Sequence, residues 1–245
     1  MSADVVLQMS GISRQFGAVH ALTDVDFECR AGEVHALVGE NGSGKSTLLG
    51  VASGSVDPDR GTVLIGGRRL RRDSPALARG LGLATAYQDT SMVLAEPVKN
   101  NLYLAASRQQ RPAYARRKRW ARKLLAEIDL DMELFPDAPT GMLTLAERQL
   151  FEVAKALASD PKVLLLDEPT VGLDPVLRQT FWAHFRELAS QGKTLLVSSH
   201  IMDEADRCDQ LAFVRGGRIL VTGTPDSIRQ QAGVGSLDCG DGESA

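Results

Sequence analysis

Long apolar runs are absent from this 245-residue chain. Its most apolar pieces, such as Val163-Leu164-Leu165-Leu166, are strand-sized and fall far short of the roughly 18 to 20 residues needed to cross a bilayer. If the protein works at a membrane, another chain is expected to do the spanning. The opening residues Met1 to Gln8 lack a basic stretch followed by an apolar one, so no secretory leader is expected. Cysteine is scarce: Cys29, Cys208 and Cys239 stand far apart, with no C-x-x-C pair and no histidine cluster at metal-ligand spacing. That excludes a disulfide framework and fits a reducing compartment. Net charge is also missing, since 28 Lys and Arg against 31 Asp and Glu leave -3, which gives no general pull toward nucleic acid. With 43% apolar residues and no low-complexity run, the chain can bury a full core as one large domain or as a domain plus a small insert.

Patterning divides the chain into three stretches. Short β-rich segments separated by turns occupy 5–9, 21–29, 34–38, 61–65 and 83–87. Helical periodicity dominates from 89 to 158, with helices expected at 98–107, 114–128 and 145–158, the last presenting Leu150, Val153, Ala154 and Leu157 on one face. Alternation then resumes: strand 163–166, helix 175–191, strand 194–198, a helix near 202–207, and strands 210–214 and 218–221. This order predicts an α/β fold with a mostly parallel sheet. The expected organisation is a single domain over 1–230, with its α/β core in 1–88 and 159–230 and a helical insert in 89–158. The tail 231–245, rich in Gly, Asp, Glu and Ser, has little to bury and is expected to fray.

The strand at 34–38 runs directly into Gly39-Glu40-Asn41-Gly42-Ser43-Gly44-Lys45-Ser46-Thr47, and helical periodicity begins at Lys45. Gly39 to Ser46 fits G-x-x-x-x-G-K-[ST] at every required position. Glycines let backbone N–H groups curl around phosphate oxygens while the following helix offers its positive end. Lys45 is then expected to reach the β- and γ-phosphates of ATP, and Ser46 to coordinate Mg²⁺. The second half of such a site is the apolar strand that ends in Asp167-Glu168: Asp167 is the expected Mg²⁺ partner and Glu168 the general base for the attacking water. Taken alone, two acids closing a strand usually mark only where it meets solvent. The upstream phosphate loop reverses that reading.

These residues, with Leu143-Thr144-Leu145-Ala146-Glu147-Arg148-Gln149, then Asp167-Glu168-Pro169-Thr170, Gly172-Leu173-Asp174 and Ser198-Ser199-His200, resemble the ATP-binding cassette family, the nucleotide-binding subunits of ABC transporters. The resemblance spans 5–229. It implies a P-loop ATPase core with an antiparallel β subdomain and an inserted helical subdomain. It also implies that Phe16 stacks on adenine, that Gln88 touches Mg²⁺ and the attacking water, and that His200 contacts the γ-phosphate. His20, His35 and His184 match no functional position and are read as structural.

In this family a signature segment binds the ATP held by the opposite subunit. Here it reads Leu143 to Glu147: Thr144 keeps a hydroxyl for the γ-phosphate, but Ala146 replaces a glycine that lets the backbone come close. Asp174 is implied to sit across the dimer interface. With one phosphate loop in the sequence, the second cassette is expected to be a copy of this chain. The further implied partners are integral membrane permease subunits and a solute-binding protein, at the cytoplasmic face of the membrane.

Direction of transport divides the sequence. Segments 32–42, 84–89 and 147–157 resemble ribose-type sugar importers, while 171–178 and 198–208 resemble drug and polysaccharide exporters. The middle region, which receives the membrane subunit in this family, favours import of a sugar or related solute. An exporter ATPase is the alternative, and a soluble cassette acting on ribosomes or DNA a third. The basic stretch Arg108, Arg111, Arg116, Arg117, Lys118, Arg119, Arg122 and Lys123 reads as a solvated face, or as one turned to lipid headgroups or the membrane partner, and no nucleic-acid partner is expected. Arg68-Arg69-Leu70-Arg71-Arg72 reads as surface.

Overall fold

The protein is described by a computed structural model covering residues 4–71, 74–87, 91–128 and 135–232. Strands β1 (Val5–Phe16) and β2 (Val19–Arg30) form a long antiparallel hairpin and lead to β3 (Val34–Val38) and helix α1 (Lys45–Ser53). Next come β4 (Arg60–Ile65), the two-residue β5 (Arg68–Arg69), α2 (Pro75–Gly80) and β6 (Leu83–Ala86). Three helices follow in chain order before the next strand: α3 (Val98–Ala105), α4 (Arg117–Ala126) and α5 (Leu145–Leu157). The chain returns through β7 (Val163–Asp167), α6 (Pro175–Ser190), β8 (Thr194–Ser199), β9 (Gln210–Arg215), β10 (Arg218–Gly223) and α7 (Pro225–Ala232).

Two sheets result, a four-stranded antiparallel one in the order β2-β1-β4-β5 and a six-stranded one in the order β10-β9-β3-β8-β7-β6. In the larger sheet every pair is parallel except the edge hairpin β9–β10. The expected α/β fold with a mostly parallel sheet is therefore observed. Strands β3 and β8 are buried along their whole length, as strands covered on both faces must be. Alternation decides which core each side chain joins. Val34, Ala36, Val38, Leu164, Leu166, Leu195 and Val197 face a cluster shared with α3 to α6, whereas Leu37, Val163, Leu165 and Leu196 face one shared with α1 and the antiparallel sheet. The site residues lie where these strands end.

Helix α5 lays Leu150, Phe151, Val153, Ala154 and Leu157 against the first cluster. Truncating the fully buried Phe151 to Ala would cost about 3–5 kcal/mol. Two sequence expectations are corrected. The helix expected over 114–128 opens as a 3₁₀ turn, Tyr114–Arg116, before α4, because Ala113 is still extended and the Arg116 N–H reaches back only to its carbonyl. The segment Met202–Arg207 is likewise 3₁₀ rather than α, with i→i+3 bonds from Glu204 N to Ile201 O and from Cys208 N to Ala205 O. There the side chain of Glu204 turns into the core to meet Thr170 and Ser199. Helices α2 and α7 went unforeseen. The expected fraying of 231–245 concerns positions that, apart from the end of α7, lie outside the described residues.

Candidate functional site

The loop between β3 and α1 is shaped by contacts that only glycine permits. A Cβ on Gly39 would sit 2.2 Å from the carbonyl oxygen of Val214, and one on Gly44 would sit 2.6 Å from that of Ala21. Gly44 is also the N-cap of α1, at φ +111, a conformation that side chains oppose. No acidic residue occupies the first turn of α1, so its free N–H groups and positive end stand open to an anion. The Ser43 hydroxyl is buried and without a hydrogen-bond partner. At the centre lies Lys45, 4% exposed, whose ammonium donates to the carbonyls of Gly39 (2.7 Å) and Glu40 (3.1 Å) and stands 3.7 Å from Glu168 Oε1. A buried cation, an orphan hydroxyl and a helix N-terminus form a cradle that fits phosphate.

Across from the loop, β7 delivers Asp167 and Glu168. Asp167 Oδ1 accepts from Ser46 Oγ (3.1 Å) and from Ser198 Oγ (2.6 Å), and the same Ser198 hydroxyl accepts from the Glu168 N–H at 2.9 Å. Ser198 thus fixes both acids at once. Glu168 is one of three non-glycine residues with positive φ among the described residues, at +46, strain of the kind that persists where surroundings over-determine a backbone. Its Oε2 lies 3.4 Å from His200 Nδ1, so the carboxyl spans the gap between Lys45 and His200. Ser46 and Asp167 present hard oxygen donors 3.1 Å apart, close to the roughly 3 Å between neighbouring ligands of an ion with bonds of about 2.0–2.1 Å. Their chemistry suits Mg²⁺, with phosphate oxygens and water completing the shell.

Other expected site residues lie further out. Phe16 sits at the end of β1, 46% exposed, with the Arg14 guanidinium 4.6 Å from its ring centre. Thr144 caps α5 in a reciprocal box: Glu147 accepts from the Thr144 N–H (2.7 Å) and hydroxyl (2.8 Å), and Thr144 Oγ1 accepts from the Glu147 N–H (3.3 Å). The Thr144 hydroxyl expected to meet phosphate is therefore engaged within its own chain. Ala146 packs partly against the core. Asp174 caps α6 through bonds from the N–H groups of Val176 and Leu177. Gln149 Nε2 donates to the Val171 carbonyl at 2.8 Å and ties α5 to the segment after β7. Gln88 lies outside the described residues.

Ser198 and Glu204, both within the segment 198–208 and neither assigned a role from sequence, complete the surroundings of the site. The Glu204 carboxyl, 1% exposed, accepts from Thr170 Oγ1 and Ser199 Oγ, each at 2.6 Å, with Arg178 Nε 3.7 Å away. Ser199 Oγ in turn accepts from Ile201 N–H at 3.0 Å, bracing the turn that carries His200. Hydroxyls flanking an acid strand were the only available signal. His35 meets its structural reading: buried, it accepts from the Arg30 N–H at 3.1 Å and stacks edge-on against Phe27, and burial holds its pKa down at about 4.

Residues 22–171, more than half of the chain, match the family model for the ABC transporter. The chain belongs to the ABC transporter family. Among curated relatives it is 38% identical over 240 residues to ribose import ATP-binding protein RbsA 2 of Rhizobium meliloti (strain 1021), covering 93% of this chain and 46% of that protein. It is also 38% identical over 219 residues to arabinose import ATP-binding protein AraG 1 of Burkholderia cenocepacia (strain HI2424), covering 88% and 43%. The chain thus spans about half the length of the curated relatives it matches. Among solved structures it resembles a nucleotide-free ATP-binding cassette from an ABC transporter, with TM-score 0.82 and 26% identity over 95% of this chain and 96% of that one. The ATP-binding subunit of another ABC transporter gives TM-score 0.78 and 31% identity over 93% of both chains.

Proposed function

We propose that this ABC family member binds and hydrolyses ATP to energise import of a sugar or related solute. The observation that carries the reading is the convergence of Lys45, Glu168 and His200 beside the Ser46–Asp167 oxygen pair, at the mouth of a loop built to hold phosphate. Loop N–H groups and Lys45 hold the phosphate oxygens. Glu168 accepts the proton of the attacking water as general base, and His200 keeps that carboxyl and the terminal phosphate in register. Ser46 and Asp167, with Gln88 as a further contact, would hold Mg²⁺, which would neutralise charge on the phosphates. Phe16 takes the adenine.

A second cassette, in our reading another copy of this chain, closes over the nucleotide with its own Thr144, Ala146 and Asp174. Exposed Met142, Leu145 and Val176 near the starts of α5 and α6 support this, being apolar side chains that a partner would cover. Among the described residues no helix is long and apolar enough to cross a membrane, so permease subunits would form the path and this chain would sit peripherally at their cytoplasmic face. The chain's similarity to ribose and arabinose import ATP-binding proteins favours import over the exporter suggested by 171–178 and 198–208. A solute-binding protein belongs with the importer.

The test is Glu168→Gln. Turnover measured by phosphate release should fall by about 10²–10⁴-fold while ATP affinity holds, with an ATP-bound dimer accumulating in light scattering. Hydrolysis at the parent rate would overturn the assignment of the base.

A further inference from the structure

Charge is distributed unevenly along the chain. Residues 97–126 hold nine of its 28 Lys and Arg and none of its 31 Asp and Glu, so the rest carries 19 cations against 31 acids. A molecule of overall charge -3 is therefore strongly polarised, with its positive pole in α3, α4 and the segment joining them. Asp137 pairs with Lys99 and Lys118 and is held down at about pKa 2 by those two cations. The remaining charges belong to a surface that is built rather than loose.

Its scaffold is a stack of rings and guanidinium groups. Arg117 lies 3.5 Å from the Tyr103 ring centre and 5.1 Å from that of Tyr114, while Arg111 lies 5.1 Å from Tyr103. Arg111 also donates to the carbonyls of Ala106 (3.2 Å) and Leu104 (3.3 Å), closing the C-terminal end of α3. The joining segment is thus pinned to both helices. On α4, Ala121, Leu124 and Leu125 face the core, whereas Arg119 and Lys123, with Arg116 at the end of the preceding turn, spaced three and four residues apart, form an exposed stripe on the opposite side. The same pole exposes two apolar side chains, Tyr114 (80%) in the turn before α4 and Leu104 (58%) on α3, whose carbonyl Arg111 holds.

We propose that this face binds the headgroup surface of an anionic phospholipid bilayer. Lysine and arginine side chains meet lipid phosphates, and an aromatic ring with a leucine beside them suits the boundary between headgroups and acyl chains. The rest of the molecule carries a net excess of acids and is repelled on balance, so this pole makes the contact in preference to the shorter basic cluster at 68–71. Membrane binding of this kind is direct and needs neither nucleotide nor permease. It therefore stands apart from the hydrolytic reading and is measured without it.

The experiment is sedimentation of the purified chain with phosphatidylcholine vesicles, with and without phosphatidylglycerol. Anionic vesicles should capture the protein and neutral ones should not, and capture should weaken as added salt shortens the screening length. The triple variant R116Q/R119Q/K123Q should lose affinity for anionic vesicles by at least about tenfold. R68Q/R69Q/R71Q, which removes three exposed charges from another surface, should stay within about twofold of the parent because headgroup attraction acts only at close range. L104S/Y114S should bind more weakly with its charge intact, and circular dichroism would verify that each variant is folded. Equal losses in the two triple variants would overturn the proposal. So would capture that ignores anionic lipid, or binding to duplex nucleic acid with none to vesicles.

Discussion

Removing the buried carboxyl of Glu204 tests how the turn carrying His200 is held. In Glu204→Ala the hydroxyls of Thr170 and Ser199 both lose acceptors at 2.6 Å in a fully buried position, and Arg178 loses a carboxylate 3.7 Å away. Each stranded buried donor costs about 1–3 kcal/mol, and the relief of no longer burying a carboxyl offsets part of that, leaving a net loss of about 3 kcal/mol. At about 2–4 °C per kcal/mol for a domain of this size, the melting temperature should drop by about 6–12 °C. Urea unfolding read by circular dichroism gives the free energy directly. Glu204→Gln keeps one acceptor oxygen and should lose only about 1 kcal/mol. Because Ser199 Oγ also holds the Ile201 N–H, the alanine variant should lose turnover more than ATP affinity, His200 having lost its brace. Stability within about 0.5 kcal/mol of the parent for Glu204→Ala would refute the idea, since that is the scale of an ordinary surface substitution.

Two further outcomes follow from the geometry. Gly39→Ala forces its Cβ against the Val214 carbonyl, so the loop must shift, and ATP affinity read by fluorescence titration should fall by about tenfold or more with a stability loss of about 1–3 kcal/mol. Unchanged affinity would mean the loop has slack that these contacts deny. His35 supplies a pH dependence. Its folded pKa of about 4 lies below its ordinary 6.5, so between those values the unfolded chain binds the extra proton and stability falls as pH drops from 6.5 toward 4. The full effect is about 3 kcal/mol, and Glu33, raised by burial and by Asp209, acts in the opposite sense as pH rises above 4.5. His35→Gln should flatten the slope of unfolding free energy between pH 7 and 5.

Much of this was legible from residues because the parallel strands are pure apolar runs bounded by punctuation. The strand expected at 34–38 is β3 to the residue, and that expected at 163–166 is one residue short of β7. Helix α6, expected over 175–191, opens on Asp174-Pro175, a cap followed by a proline that suits a first helical turn. The same pairing stands at Ser74-Pro75, where Ser74 Oγ accepts from the Leu77 N–H at 3.2 Å, and at Thr224-Pro225, where Thr224 Oγ1 accepts from the Ser227 N–H at 3.2 Å. Both helices are too short for a clear apolar period. The hairpin strands came out short because β1 carries a bulge with Gly11 at φ +62, which interrupts strict alternation. Within the candidate site, charged and glycine positions could be named from spacing. Ser198 and Glu204 could not, because their importance lies in which hydroxyl faces which carboxyl after strands distant in sequence become neighbours.

Ala21 of β2 stands within a backbone's breadth of both Gly44 and Gly217, where an added Cβ would fall 2.6 and 2.7 Å from its carbonyl oxygen. Around it the Gly217 N–H donates to Ser43 O at 2.9 Å and the Thr23 N–H donates to Gly217 O at 2.8 Å. Main chain from the phosphate loop, the β9–β10 turn and the antiparallel hairpin is therefore locked into one knot. Such a knot works as a fixed gauge. The hairpin bearing Phe16 and the loop holding Lys45 are thereby set at one separation, and under the proposed function that span would gauge the length of a bound nucleotide.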